Sequence, residues 1–106
     1  MKFLVIWKLE ISRLSTDMMK TVMRVADHAR PLEEQGKIIG RYHLVGSHGG
    51  AWIYDVESND ELEMLLARSP VYNFSTYQVL PLADMSSLRG TTAVEQPAEA
   101  DSGNPA

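Results

Sequence analysis

At 106 residues, 44% hydrophobic and 23% charged, the chain has the size and composition of one small globular domain. Its net charge is −4, of which Arg89, Glu95, Glu99 and Asp101 contribute −2, so the rest is nearly balanced and offers no basic patch to nucleic acid. There is no cysteine, which excludes disulfides, thiol nucleophiles and thiolate metal sites together. The apolar start at residues 1–7 is too short for a signal peptide, and Lys8 and Glu10 end it. No stretch approaches the roughly 20 apolar residues that span a bilayer, so a cytoplasmic location away from membranes is expected.

Residues 3–10, FLVIWKLE, read as a β-strand with Phe3, Val5, Trp7 and Leu9 on one face and Leu4, Ile6 and Lys8 on the other. Both faces are apolar over the first half, unlike a strand with one side in water. Residues 11–15 connect to a helix that Ser15 or Thr16 caps and Asp17 favours electrostatically. Met18, Val22, Val25, Ala29 and Leu32 form its apolar stripe. Pro31 predicts a kink or break there, and Gly36 a stop.

Residues 37–47 read as a second strand, with Ile39, Arg41, His43 and Val45 on one face and Ile38, Tyr42 and Leu44 on the other. Ser47, His48, Gly49 and Gly50 read as the turn of a hairpin, and residues 51–56, AWIYDV, as its third strand. Ser58 and Glu61 make a capping box for a helix through Ala67 that turns Leu62, Leu65 and Leu66 inward. Ser69 and Pro70 close it, and residues 71–82 supply a fourth strand. Residues 1–85 are thus expected to form the domain, and 86–106, rich in Ser, Thr, Ala, Glu, Pro and Gly, a disordered tail.

The order βαββαβ predicts an α+β, ferredoxin-like fold: a four-stranded antiparallel sheet with both helices on one face. Trp7, Trp52 and Tyr54 add bulk to an already apolar sheet, which predicts that a second copy covers the bare face as a homodimer. Residues 83–90 are the alternative cover.

The chemistry-bearing residues concentrate between Gly36 and Val56. His43 beside Arg41 is a candidate general base with a cation placed to hold a carboxylate. His48 in the Gly-rich turn is the second candidate base, and Asp27 on the first helix a candidate orienting group or acid. Tyr42, Tyr54 and Tyr72 are candidate donors to an enolate oxygen, and Trp7 and Trp52 candidate walls of a flat apolar site. Each also has an ordinary reading as core, turn or solvated surface. The three histidines lack ligand spacing, and no cofactor fingerprint is present, so neither metal nor cofactor is expected.

Over residues 1–83 the chain resembles the muconolactone isomerase-like family of dimeric α+β barrels. The resemblance rests on MKFLVIWKLE at the start, Gln35-Gly36, and Leu44-Val45-Gly46 before the hairpin. It continues through residues 52–58 into Glu61-Leu62, then Ser69-Pro70-Val71-Tyr72 and Leu80-Pro81-Leu82. It implies a cofactor-independent isomerase that moves a proton within an unsaturated lactone during aromatic breakdown, assembled as dimers or larger rings. In the family a histidine directly follows the glycine matching Gly46. Here Ser47 takes that place and His48 follows, and the family's helix acids fall at Arg24 and Val25, leaving Asp27 nearest. These departures imply an isomerase or cyclase for another apolar, carbonyl-containing ring compound, in aromatic or polyketide metabolism. A cofactor-free monooxygenase and a non-catalytic small-molecule-binding or assembly module are the alternatives.

Overall fold

The computed structural model describes residues 1–13 and 15–86. Its strands are β1 (Lys2–Leu9), β2 (Ile38–His43), β3 (Gly49–Asp55) and β4 (Ser75–Leu82), and its helices α1 (Thr16–Val22), α2 (Val25–Glu34) and α3 (Asn59–Ala67). The sheet is antiparallel in the order β2-β3-β1-β4, so the predicted fold is the one observed, apart from a broken first helix. The tail from residue 87 onward lies outside the described residues.

Strand alternation decides what the helices cover. Phe3, Val5 and Trp7 of β1 stand opposite Tyr54, Trp52 and Gly50 of β3, on the face that packs against the helices. With Ile38, Val56, Ala29, Leu32 and the three inward leucines of α3 they form the core, and Val5 is wholly buried. Trp52 and Tyr54 are therefore covered by the helices after all, and Trp7 packs against them. Their bulk is no argument for a second sheet. That argument rests on the other face, where Leu4 and Ile6 of β1 pair with Ile53 and Ala51 of β3, and Leu4 also pairs with Leu80 of β4.

The first helical region breaks earlier than Pro31 predicts. Ser15 caps α1 by accepting from the Met18 backbone N–H at 3.2 Å, and the helix ends at Met23 and Arg24. Pro31 sits inside α2. Its ring removes the bond to the Asp27 carbonyl, but Asp27 is exposed, so water can meet that oxygen. Ala29 and Leu32, buried on either side of Pro31, hold the helix against the sheet.

The hairpin also departs from simple alternation. The turn's positive φ of 83° belongs to Gly46, and the Ser47 N–H donates to the Leu44 carbonyl at 3.1 Å. Glycine suits that conformation in a turn closed by this bond. Gly49 and Gly50 lie within β3 and are buried there. A Cβ on Gly49 would stand 2.0 Å from the Trp7 carbonyl oxygen, and one on Gly50 would stand 2.6 Å from Trp52 Nε1. These two glycines supply closeness, not turn geometry. In β2 a bulge between Ile38 and Gly40 shifts the register. Ile38 pairs with Tyr54 and Arg41 with Trp52, so buried Ile38 and Arg41 share the helix-side face, while Ile39 turns outward.

Candidate active site

Between α1, α2 and the near ends of β1, β2 and β3 lies a cavity of about 640 Å³. It lies on the helix side of the sheet, not in a space between two sheets. Trp7 and Trp52 form its indole wall, with ring centroids 5.5 Å apart and planes at 90°. Val22, Met23, Val25 and Ala26 supply an apolar wall from the α1–α2 junction. His43, His48, Arg41 and Glu33 supply the ionisable groups.

The bulge at residues 38–40 turns Arg41 and His43 toward this cavity, with His43 opposite Gly50 in the ladder. His48 reaches it from the end of the turn, where its carbonyl accepts from the Leu9 N–H at 2.8 Å. Both candidate bases, His43 and His48, therefore border one cavity with Arg41, and both histidines are exposed.

Arg41 is held on two sides. Its guanidinium carbon lies 5.4 Å from the centre of the Trp52 ring. Its Nε donates to Glu33 Oε2 at 2.9 Å and its Nη2 to Glu33 Oε1 at 3.2 Å. The hydrogen bond from Arg41 holds the Glu33 carboxyl below its ordinary range. Glu33 is thus a poor base at neutral pH. Glu33 is the cavity-lining residue that the apolar reading of α2 missed. Its signal was present: it continues the stripe four residues past Ala29 and eight past Val25, so an acid there faces inward.

Asp27 does not reach the cavity. It lies about 200° round the helix from Val25, and its exposed carboxylate pairs with Arg30 at 3.4 Å. Tyr54 is a correction too. It is 2% exposed, stacks on Trp52 at 6.4 Å, and borders only a space of about 10 Å³ with Ser69, Val71 and Tyr77. That space is at the lower limit for one water, and burial pushes the Tyr54 phenol well above its usual range, so it stays neutral and lies apart from the larger cavity. Tyr42 touches the rim of the larger cavity but pairs with Ala51 on the opposite strand face and is 64% exposed. Tyr72 packs with Tyr77, at a centroid distance of 5.6 Å, away from the cavity lining. Among the described residues no three of His, Asp and Glu gather as metal ligands, and no helix is long and apolar enough to cross a membrane.

The family model for muconolactone delta-isomerase matches residues 1–87. The chain belongs to the muconolactone delta-isomerase family. Over 56 residues it is 38% identical to the muconolactone delta-isomerase of Cupriavidus pinatubonensis, a stretch that makes up 53% of this chain and 61% of that protein. The muconolactone delta-isomerase of Rhodococcus opacus is 28% identical over 68 residues, 64% of this chain and 73% of the other. Muconolactone delta-isomerase 1 of Acinetobacter lwoffii is 34% identical over 55 residues, 52% of this chain and 57% of the other. The match thus spans about three fifths of the length of two of these relatives.

In fold, a crystal structure of muconolactone isomerase superposes with a TM-score of 0.70 at 16% identity, over 99% of this chain and 100% of that one. The 5-chloro-2-hydroxyhydroquinone dehydrochlorinase of Burkholderia phenoliruptrix, in complex with 2,5-dihydroxybenzoquinone, superposes with a TM-score of 0.56 at 19% identity, over 78% of this chain and 94% of that one. The fold and family expected from the sequence are the ones found. In this chain Ser47 is held in the turn, its Oγ donating to the Leu44 carbonyl at 3.3 Å, and His48 borders the cavity.

Proposed function

We propose that the chain is a cofactor-independent isomerase that shifts a proton within a carbonyl-containing ring compound of the lactone type, bound between the tryptophans and the His43–Arg41–His48 side of the cavity. The observation that carries this reading is one apolar, indole-walled cavity holding two accessible imidazoles and a fixed guanidinium. His43 or His48 takes a proton from a carbon acidified by the conjugated carbonyl. The electron pair passes into the dienolate, and the same imidazolium returns a proton to another carbon of that system, so atoms and charge balance over the cycle. Arg41 lies where it can steady a ligand carboxylate or the dienolate oxygen. Family membership supports the reaction type, and the two relatives that cover the fold act on, or are seen with, small oxygenated ring compounds.

The assembly belongs to the same proposal. The sheet face away from the helices carries Leu80 and Leu82 at 38% and 43% exposure; of the alternative cover, residues 83–86 are themselves exposed and 87–90 lie outside the described residues. A second copy packed there gives a homodimer, which sedimentation velocity would detect and Leu80→Glu would dissociate.

The test of the reaction is incorporation of deuterium from heavy water into muconolactone and larger carboxylated lactones, followed by proton NMR. Replacing the catalytic histidine with Gln should lower exchange by about 10²- to 10⁴-fold, the usual contribution of one acid–base group. Unchanged exchange in the His43→Gln, His48→Gln double variant would defeat the proposal. Oxygen uptake in place of isomerisation would move the chain to monooxygenase chemistry.

A further inference from the structure

Glu33 and Arg41 form an ion pair in which the acid would be expected to weaken an anion site. The geometry indicates another role. The guanidinium has five N–H donors in one plane, and Glu33 occupies the side edge made by Nε and Nη2, at 2.9 and 3.2 Å. The Trp52 ring covers one face of the same group at 5.4 Å. One edge and one face are thereby fixed, and among the described residues no hydrogen bond takes the end edge formed by Nη1 and the remaining Nη2 hydrogen, which is left for a ligand. Such an edge matches a planar anion with two oxygens on one side, a carboxylate or a vinylogous acid.

We propose that Glu33 is a positioning residue, which grips Arg41 side-on so that the free end of its guanidinium meets the planar anionic group of the ligand. This rests on placing the substrate in the cavity as above. The anchoring comes from three separate elements: the last turn of α2 supplies Glu33, the bulged β2 supplies Arg41, and β3 supplies Trp52. An unheld arginine side chain would have to be ordered by the ligand itself, at a cost in affinity.

The two roles open to Glu33 predict opposite signs. If it only places negative charge near the site, Glu33→Gln should tighten anion binding. If it positions Arg41, Glu33→Gln should weaken it. The probe is 2,5-dihydroxybenzoquinone, a planar vinylogous acid, titrated against the fluorescence of Trp7 and Trp52, the chain's two tryptophans. We expect Glu33→Gln to raise the dissociation constant about threefold to tenfold, the range for losing one pre-ordered long side chain. Glu33→Asp, which keeps the charge without the reach, should weaken binding similarly, and Arg41→Lys should weaken it at least as much. In an Arg41→Met background Glu33→Gln should have no further effect. Equal or tighter binding by Glu33→Gln, with wild-type binding intact, overturns the positioning role alone. Failure of the wild-type protein to bind the probe at millimolar concentration overturns the cavity assignment along with it.

Discussion

Gly49 and Gly50 test whether these glycines serve a turn or a close approach. A turn role predicts that alanine costs only its unfavourable backbone conformation, about 1 kcal/mol. Neither glycine has positive φ, and both are buried in β3. A Cβ at position 49 would lie 2.0 Å from the Trp7 carbonyl oxygen and 2.9 Å from Lys8 Cα. A carbon and a carbonyl oxygen normally approach to no less than about 3.3 Å, so β1 and β3 must part by roughly 1.3 Å at this point. The Leu9 N–H bond to the His48 carbonyl at 2.8 Å would stretch or break, and the Leu44 N–H bond to the Gly49 carbonyl at 3.1 Å, on the β2 side, would be compressed or bent. Counting about 1 kcal/mol for each and about 1–3 kcal/mol for overpacking, less about 0.4–1 kcal/mol for the stiffer unfolded chain, Gly49→Ala should destabilise by about 2–4.6 kcal/mol. That corresponds to a fall in Tm of roughly 10–35 °C for a domain of this size. Gly50→Ala meets side chains only, Trp52 Nε1 at 2.6 Å and Trp7 Nε1 at 3.0 Å. It should cost about 0.5–2 kcal/mol by overpacking and should change the tryptophan emission, because the indoles must move. Denaturant melts of the two variants give both energies. A Gly49→Ala protein within about 1 kcal/mol of its parent would refute the close-approach account.

Three other outcomes follow from the same contacts. Burial lowers the His28 pKa below its ordinary 6.5, and Nε2 is buried with no hydrogen-bond partner among the described residues, so stability is complete above about pH 6.5 and falls as pH drops through the lower folded value. His28→Leu should flatten that slope in denaturant melts between pH 7 and 5, and an unchanged slope would assign the acid sensitivity elsewhere. A double-mutant cycle on Arg41→Met and Trp52→Leu should show a coupling of about 0.5–1 kcal/mol from the guanidinium over the ring, and zero coupling would mean the stack contributes nothing. Ser58 accepts from the Glu61 N–H at 3.1 Å, and Ser58→Ala should lower stability by about 0.5–2 kcal/mol, read from the same melts.

The fold was readable because its signals are local and repeated. Alternation in β1, the Ser58–Glu61 capping box and the Leu62, Leu65, Leu66 stripe of α3 each state their element within a few residues, and the element order then fixes the sheet. The cavity was only partly readable. Arg41, His43, His48, Trp7 and Trp52 were identifiable by residue type and do line it. Asp27 and Tyr54 were chosen by the same criterion, but helix phase points Asp27 outward and Trp52 packs over Tyr54. Glu33 was hidden because an acid at a helix end reads first as solvated surface. Only its partner on β2, eight residues on, shows that it faces the cavity.

The irregular positions, more than the regular elements, decide what the cavity contains. Strict alternation along β2 places Ile38 opposite in sense to Arg41 and His43, so one of the two groups would have to leave the helix side. The bulge at residues 38–40 removes that conflict: Ile38 stays in the core at 2% exposure while Arg41 and His43 face the cavity beyond it. The break at Met23 and Arg24 acts similarly, because it ends α1 where Val22 and Met23 can border the cavity and lets α2 restart in the phase that brings Val25, Ala29 and Glu33 to the sheet. A continuous helix would carry a single stripe past the opening instead of bending around it. Straightening either irregularity, by deletion of Ile39 or by helix-favouring residues at 23 and 24, should therefore disturb the cavity before it disturbs the sheet order, since β1 and β4 take no part in either and β3 meets only the β2 bulge.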